Sequence, residues 1–266
     1  MRRKKFLLIT SYFENAIMAF DEIIEAHFYS KNSVGEVFVN SVNLKNHRKT
    51  GLLYRPFTSD SKMIHESFSD YSTLNCRGKV VMDCGGNIGG FMLKASQDGA
   101  SHVVSFEPEP LNFEVLNYNA RIISDRFANT KIEIKNYALC SCFEHELAFN
   151  VNTSKNSACS GSLLKTKSST SIIVKACNFW EKLEEFRPQV LKIDIEGAEY
   201  SLFTREFPSF IEDFAFELHG FKKELRQEMF KYIEMIEKDP RFEVVSKRII
   251  HVFNVPKLAL LHFRRR

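Results

Sequence analysis

The chain has 266 residues, 44% of them apolar, and a net charge of +4. That length allows one large α/β domain, with or without an extension, and a core to which 25 phenylalanines contribute. Arg2, Arg3, Lys4 and Lys5 at one end and Arg264, Arg265 and Arg266 at the other outnumber the net charge, so the remainder is slightly acidic, which argues against an enzyme with a broad basic face for nucleic acid.

At the start of the chain, basic residues precede Phe6-Leu7-Leu8-Ile9 in the manner of a signal peptide. The apolar run is short, Glu14 and Asn15 interrupt it, and no small-residue cleavage site follows. No stretch approaches the roughly 18 apolar residues of a membrane span, so a soluble, cytoplasmic protein without a membrane segment is expected. Residues 1–50 form an extension without strong punctuation, within which Ile17 to His27 reads as a helix. A domain then occupies residues 51–266. Lys79–Asp83 is a short apolar strand followed by a glycine turn and a helical stretch, Phe91–Gln97. His102–Phe106 is the next strand. Pro110 opens a helix with Phe113, Leu116, Ala120 and Ile123 along one face. Lys131–Tyr137 alternates as a strand should. Residues 152–170, rich in Ser, Thr, Lys and Asn, read as a long loop of the kind that often serves as a lid, with Ser157 to Ser162 folding over a ligand. Val190–Ile195 is a strand and Ala198–Phe207 a helix. Asp213–Leu218 is a strand and Phe221–Ile236 an amphipathic helix, and Phe242–Val245 and Leu258–Phe263 close the sheet. Strands alternating with helices give an α/β architecture with a mainly parallel sheet covered on both faces. The six cysteines include no pair with zinc spacing, and Cys140-x-Cys142 alone is a weak metal signal, so reduced thiols are expected.

In a doubly wound sheet, ligands bind beyond the carboxyl ends of the strands. Three acids stand there: Asp83, Glu107 and Asp194. In the turn Asp83-Cys84-Gly85-Gly86-Asn87-Ile88-Gly89, Gly85 and Gly89 let backbone approach a ligand, and Asn87 tolerates positive φ. The following helix presents unpaired N–H groups to an anion such as a pyrophosphate or a carboxylate. Asp83 would oppose a pyrophosphate but suits a ligand with an ammonium group, and the turn departs from G-x-G-x-x-G. Both details favour S-adenosylmethionine over NAD. Glu107 can accept hydrogen bonds from ribose hydroxyls, or it can cap the helix after Pro108.

With these motifs placed, the sequence resembles the FkbM family of methyltransferases. Val80 to Gly89 is similar to that family's strand and DxGxNxG turn, Val104 to Pro110 to its second acidic segment, with Asn119 at the end of the following helix. Lys192-Ile193-Asp194-Ile195-Glu196-Gly197-Ala198-Glu199 is similar to its most distinctive motif, Phe216-Glu217-Leu218-His219 to its E-x-H strand end, and Tyr54 to Asp60, with Glu66 and Tyr71, to its entry segment. Cys84 and Gly86 depart from the small apolar residues commoner there. The resemblance implies a Rossmann-like class I methyltransferase fold, with a seven-stranded sheet whose last strand is antiparallel. It implies methyl transfer from S-adenosylmethionine to oxygen on a sugar, glycan or other small acceptor, with Tyr137-Ala138-Leu139 near the adenine. Asp83, Gly85, Asn87, Gly89, Glu107, Ala138 and Asp194 are then the cofactor-binding residues.

Methyl transfer to a hydroxyl needs positioning and a base. Asp194, Glu196, Glu217 and His219 are candidates, with Asp194 facing the reacting groups and His219 able to titrate near neutrality. Glu196 and Glu199 can instead cap the helix after Gly197, and His219 can be a structural histidine. Glu217 and His219 share a strand face and with Asp194 could bind a divalent metal, but three ligands without a fourth leave them assigned to catalysis, and no metal is expected. A non-catalytic nucleotide-binding module on the same fold, an NAD-dependent oxidoreductase and an RNA methyltransferase are the competing readings.

Overall fold

The computed structural model describes residues 25–31, 37–152, 161–162, 169–220 and 222–266. Strands β1 (Glu25–Lys31) and β2 (Val37–Asn43) pair antiparallel, as do β3 (Lys45–Asn46) and β4 (Leu53–Tyr54); helix α1 (Asp60–Asp70) follows. The next elements are β5 (Val80–Cys84), α2 (Gly90–Gln97), β6 (His102–Phe106), α3 (Pro110–Arg126) and β7 (Lys131–Lys135). Then come β8 (Ala138–Cys140), β9 (Glu146–Asn152), β10 (Gly161–Ser162), β11 (Ser169–Asn178) and α4 (Phe179–Phe186). The chain ends with β12 (Val190–Ile193), β13 (Asp213–His219), α5 (Lys223–Glu237), β14 (Phe242–Val252) and β15 (Val255–Arg265).

Seven strands form the central sheet in the order β14-β15-β13-β12-β5-β6-β7. The pairs from β13 to β7 are parallel, and β15 is antiparallel to both its neighbours, as the family resemblance implies. The chain runs outward from β5 to β7 and returns to β12 on the other side of β5. That reversal places the switch point, where such sheets hold ligands, between the carboxyl ends of β5 and β12.

The two sheet faces carry separate apolar clusters. On one, Ile88, Phe91, Met92, Val115 and Leu116 from the α2–α3 side pack on Val81 and Val103. On the other, Phe179, Trp180, Met229 and Ile233 from α4 and α5 pack on Phe214, Phe216 and Phe263. The last three rings stack with centroids 5.5–5.8 Å apart. Phe214 and Phe216 reach one face because strand residues two apart do so, and Phe263 stands opposite Phe214 in the β13–β15 register. Much of the phenylalanine content is thus spent on this face.

Several expected elements differ. Residues 25–27 lie in β1 rather than in a helix, and residues 17–24 lie outside the described residues. The strand is held to the domain by Glu114 of α3, whose Oε2 accepts from the His27 amide at 3.2 Å. Instead of a helix over Ala198–Phe207 there is one 3-10 turn, Glu199–Ser201. The segment starts from two consecutive left-handed residues, Glu196 (φ 58°) and Gly197 (φ 100°), and its aromatic residues Tyr200, Phe203 and Phe207, weak helix formers, pack on the core individually. Within the expected loop 152–170, residues 152, 161–162 and 169–170 are strand; 153–160 and 163–168, including most of the lid segment, lie outside the described residues. β11 pairs with β9 and β8 in a second, four-stranded sheet that sequence periodicity did not reveal. The thiols are not all reduced: Cys140 and Cys142 form a disulfide, their Cα atoms 5.3 Å apart across the turn after β8, within bridging reach. Cys76, Cys84 and Cys177 are free. Among the described residues, no helix is long and apolar enough to cross a membrane.

Candidate active site

A cleft of about 800 Å³, counting its open mouth, lies at the switch point. Its walls include Gly85, Gly86 and Asn87 from the β5 turn, Glu107 from β6, Lys192, Asp194 and Glu196 from β12 and beyond, Glu217 from β13, and Tyr71 beside α1. A small apolar recess lined by Phe106, Tyr137, Ala138, Leu139 and Ala198 adjoins it, sharing Gly85, Pro108, Phe149 and Ile195 with it.

The β5 turn is built for close approach. Gly85 has φ 89°, and a Cβ there would stand 1.8 Å from the Asp194 carbonyl oxygen, so only glycine lets the β5 and β12 ends meet. The Gly85 and Gly86 amides both donate to the Phe106 carbonyl, and Asn87 adopts φ 49°. At Gly86 a Cβ would stand 2.1 Å from Ser105 Oγ, which donates to Asp83 Oδ2 at 2.7 Å. A side chain at position 86 would thus meet the Ser105–Asp83 bond. Cys84, the other departure, is fully buried in the core. Asn119 ties the turn down: its Nδ2 donates to the Ile88 carbonyl at 2.7 Å and to the Leu53 carbonyl at 2.9 Å.

Glu107 is buried against the turn. Its Oε2 accepts from the Asn87 amide at 2.8 Å and its Oε1 from the Glu109 amide at 2.9 Å. Burial pushes its carboxyl up to about 8, against the pull of those two amides. The cap of α3 is Glu109, whose carboxylate accepts from Leu111 and Asn112. The capping alternative for Glu107 is therefore displaced by two residues.

Lys192 is a residue that the sequence reading quoted but gave no role. It stands two positions before Asp194 and is buried. Its Nζ donates to the Gly85 carbonyl at 2.6 Å and lies 3.2 Å from Asp83 Oδ1 and 3.8 Å from Asp194 Oδ2. Burial alone would lower its pKa, but the Asp83 and Asp194 charges outweigh it and hold the ammonium above its usual range. Tyr71 is the second such residue; its hydroxyl donates to Asp194 Oδ2 at 3.2 Å and Glu217 Oε2 at 3.4 Å. Phe149 of β9, on the cleft wall, had no signal, because its strand lies in the unforeseen second sheet.

At the far end of the cleft Asp194, Glu217 and His219 converge, each offering a ligand atom within 4.8 Å of the others. His219 Nδ1 meets Glu199 Oε1 at 3.0 Å, while Nε2 lies 3.5 Å from Glu217 Oε1 and from Glu196 Oε2. Burial would lower the His219 pKa, yet the charges of Glu199, Glu196 and Glu217 hold it well above the usual range. That upward shift, set by its acidic neighbours, weakens its reading as a free base. Burial and the Asp194 charge push the Glu217 carboxyl up. Glu199, for which helix capping was the alternative, accepts instead from the Ile195 and Gly197 amides of the preceding loop. Of the expected site residues, Gly85, Asn87, Glu107, Asp194 and Glu217 line the cleft and His219 stands in this cluster; Ala138 lines the recess, Gly89 caps α2, and Asp83 is fully buried behind the wall, engaged by Ser105 and Lys192.

Among solved structures, the chain is similar to a methyltransferase FkbM from Methylobacillus flagellatus KT, at 14% identity over 74% of this chain and 47% of that one, with a TM-score of 0.46. It thus spans about half the length of that protein. It is also similar to a ribosomal protein L11 methylase from Lactobacillus delbrueckii subsp. bulgaricus (11% identity, 78% and 80% covered, TM-score 0.43). A third likeness is to M. capricolum TrmK in complex with S-adenosyl-homocysteine (8% identity, 76% and 68% covered, TM-score 0.43). No curated protein matches the sequence. Residues 83–244, more than half of the chain and the span that carries the β5 turn, Glu107, Asp194 and Glu217–His219, match the family described as the methyltransferase FkbM domain, and the chain belongs to that family.

Proposed function

We propose that the protein is an S-adenosylmethionine-dependent O-methyltransferase acting on a hydroxyl of a sugar, glycan or other small acceptor. The observation that carries this reading is one cleft with two unlike ends. One end combines the glycine turn with Glu107 and the apolar recess. The other gathers Asp194, Glu217, His219 and Tyr71. What supports the reading at the first end is Glu107 for the ribose hydroxyls, the recess at Ala138 and Leu139 for adenine, and the Asp194 carboxylate on the wall for the ammonium group, with Asp83 behind it holding Lys192 and the β5 turn.

The bound cofactor would supply a methyl group on a positively charged sulfur, already a good leaving group. The protein's remaining work is to hold an acceptor oxygen in line and take its proton. The Asp194 and Glu217 carboxylates, tied together by the Tyr71 hydroxyl, are suited to that proton. Glu66 and Asp70 also line the mouth, and among the described residues the one lysine on the wall, Lys192, is engaged by Asp83 and Asp194. Such a lining favours a neutral acceptor over a polyphosphate such as RNA.

Calorimetric titration with S-adenosylhomocysteine tests the first end: the parent should bind, and Asp83→Ala should bind at least tenfold more weakly. Transfer of labelled methyl to a panel of glycans and metabolites tests the second, with turnover lost in Asp194→Ala. A parent that binds NAD in preference to S-adenosylhomocysteine would refute the assignment.

A further inference from the structure

We infer that Asp194, Glu217 and Nε2 of His219 form a binding site for one divalent metal cation at the acceptor end of the cleft. The inference rests on the reading that this end receives the acceptor hydroxyl, and it gives the three residues a common task.

The geometry is that of a site held on rigid elements. Glu217 and His219 are two apart on β13 and so share one face. Asp194 directly follows β12, which pairs in parallel with β13. Their ligand atoms lie within 4.8 Å of one another. Donors about 2.0–2.2 Å from a common ion lie roughly 3–4.4 Å apart, so rotamer adjustments of a few tenths of an ångström bring the three onto one ion.

A second observation comes from outside the three ligands. Glu199 is fully buried, and its Oε1 takes the Ile195 and Gly197 amides, which fix its position. The same oxygen meets His219 Nδ1 at 3.0 Å. A carboxylate that engages Nδ1 turns Nε2, the other ring nitrogen, toward Glu217 and the cleft. Metal-binding histidines are oriented by just such a carboxylate behind the ring. On binding, the cation takes the place of the Nε2 proton, which leaves to solvent.

Three protein ligands on one side leave the cleft side of the ion open for oxygen atoms of an acceptor. One imidazole with two carboxylates suits Mn²⁺ or Zn²⁺ better than a soft ion. An ion with adjacent open positions would chelate two neighbouring oxygens, which narrows the acceptor class to vicinal diols and related polyols.

The test is titration of the full chain with MnCl₂, without cofactor, read by the loss of the free-ion electron paramagnetic resonance signal. One ion per chain is expected. His219→Ala and Glu217→Gln should each weaken binding by about tenfold or more, and Glu199→Gln, which spares every ligand, by about tenfold. Titration of the same variants with S-adenosylhomocysteine shows whether they remain folded. No binding of Mn²⁺ or Zn²⁺ by the parent at millimolar concentration would overturn the inference, as would parent-like affinity in folded His219→Ala and Glu217→Gln. A parent that binds Mn²⁺ but not S-adenosylhomocysteine would keep this site and refute the proposed cofactor.

Discussion

The contact between Gly86 and Ser105 makes a prediction whose size follows from the structure. An alanine Cβ at position 86 would stand 2.1 Å from Ser105 Oγ, so the hydroxyl must swing away and leave Asp83 Oδ2. Asp83 is fully buried, and stranding one of its oxygens costs about 1–3 kcal/mol. Gly86 is not among the positive-φ glycines, so backbone strain adds nothing. Ser105→Ala loses the same bond by deleting the hydroxyl, and it also empties the space that the new Cβ needs. The two costs are therefore one cost counted twice. Each single variant should lower the midpoint of urea unfolding by roughly 0.3–1 M. The double variant should be little worse than either, with a coupling of about 1–3 kcal/mol. Leu116 Cδ2 and Ser105 Cβ, each 3.4 Å from the new Cβ, set the small remainder. If the two costs add to within about 0.5 kcal/mol, Gly86 is not there for the Ser105–Asp83 bond and the reasoning fails.

Two further predictions concern titration. Asp213 is buried beneath His262, Arg264 and the Asn75 amide; burial would raise its pKa, but these partners outweigh it and hold the carboxyl below the usual 3.8. A lowered folded pKa means stability that is fully present above the unfolded value and lost as pH falls below about 4. The Tm of the parent should therefore drop more steeply between pH 4 and 2.5 than that of Asp213→Asn, and parallel curves would refute this. Glu107, lifted to about 8, must ionise fully to accept both ribose hydroxyls, so S-adenosylhomocysteine affinity should rise between pH 6.5 and 8.5. Glu107→Gln should bind more weakly and without that slope; an unchanged slope would assign the titration elsewhere.

The parts of the site legible in the sequence are those carried by contiguous residues. A strand ending in Asp83, a glycine turn and a second strand ending in Glu107 are local patterns, and the sheet sets their acids side by side in parallel register. The alternation of Phe214, Phe216 and Leu218 likewise announced β13 and with it the shared face of Glu217 and His219. Where local pattern and packing disagreed, packing decided. The stretch after Gly197 has enough apolar residues for a helix, but its aromatic rings are fitted singly into the core, and the chain follows them.

The sequence by itself determined the family, the sheet and the acids at its strand ends, because each depends on spacing along the chain. Tertiary structure alone decided what those acids meet. Tyr71 bonds to Asp194 across 123 residues, and Lys192 reaches back 107 to the Gly85 carbonyl. Phe149 enters the cleft from a second sheet. Such contacts leave no periodic trace, since they are fixed by the reversal that lays β12 beside β5, by the packing of α1 on α2 and by the second sheet.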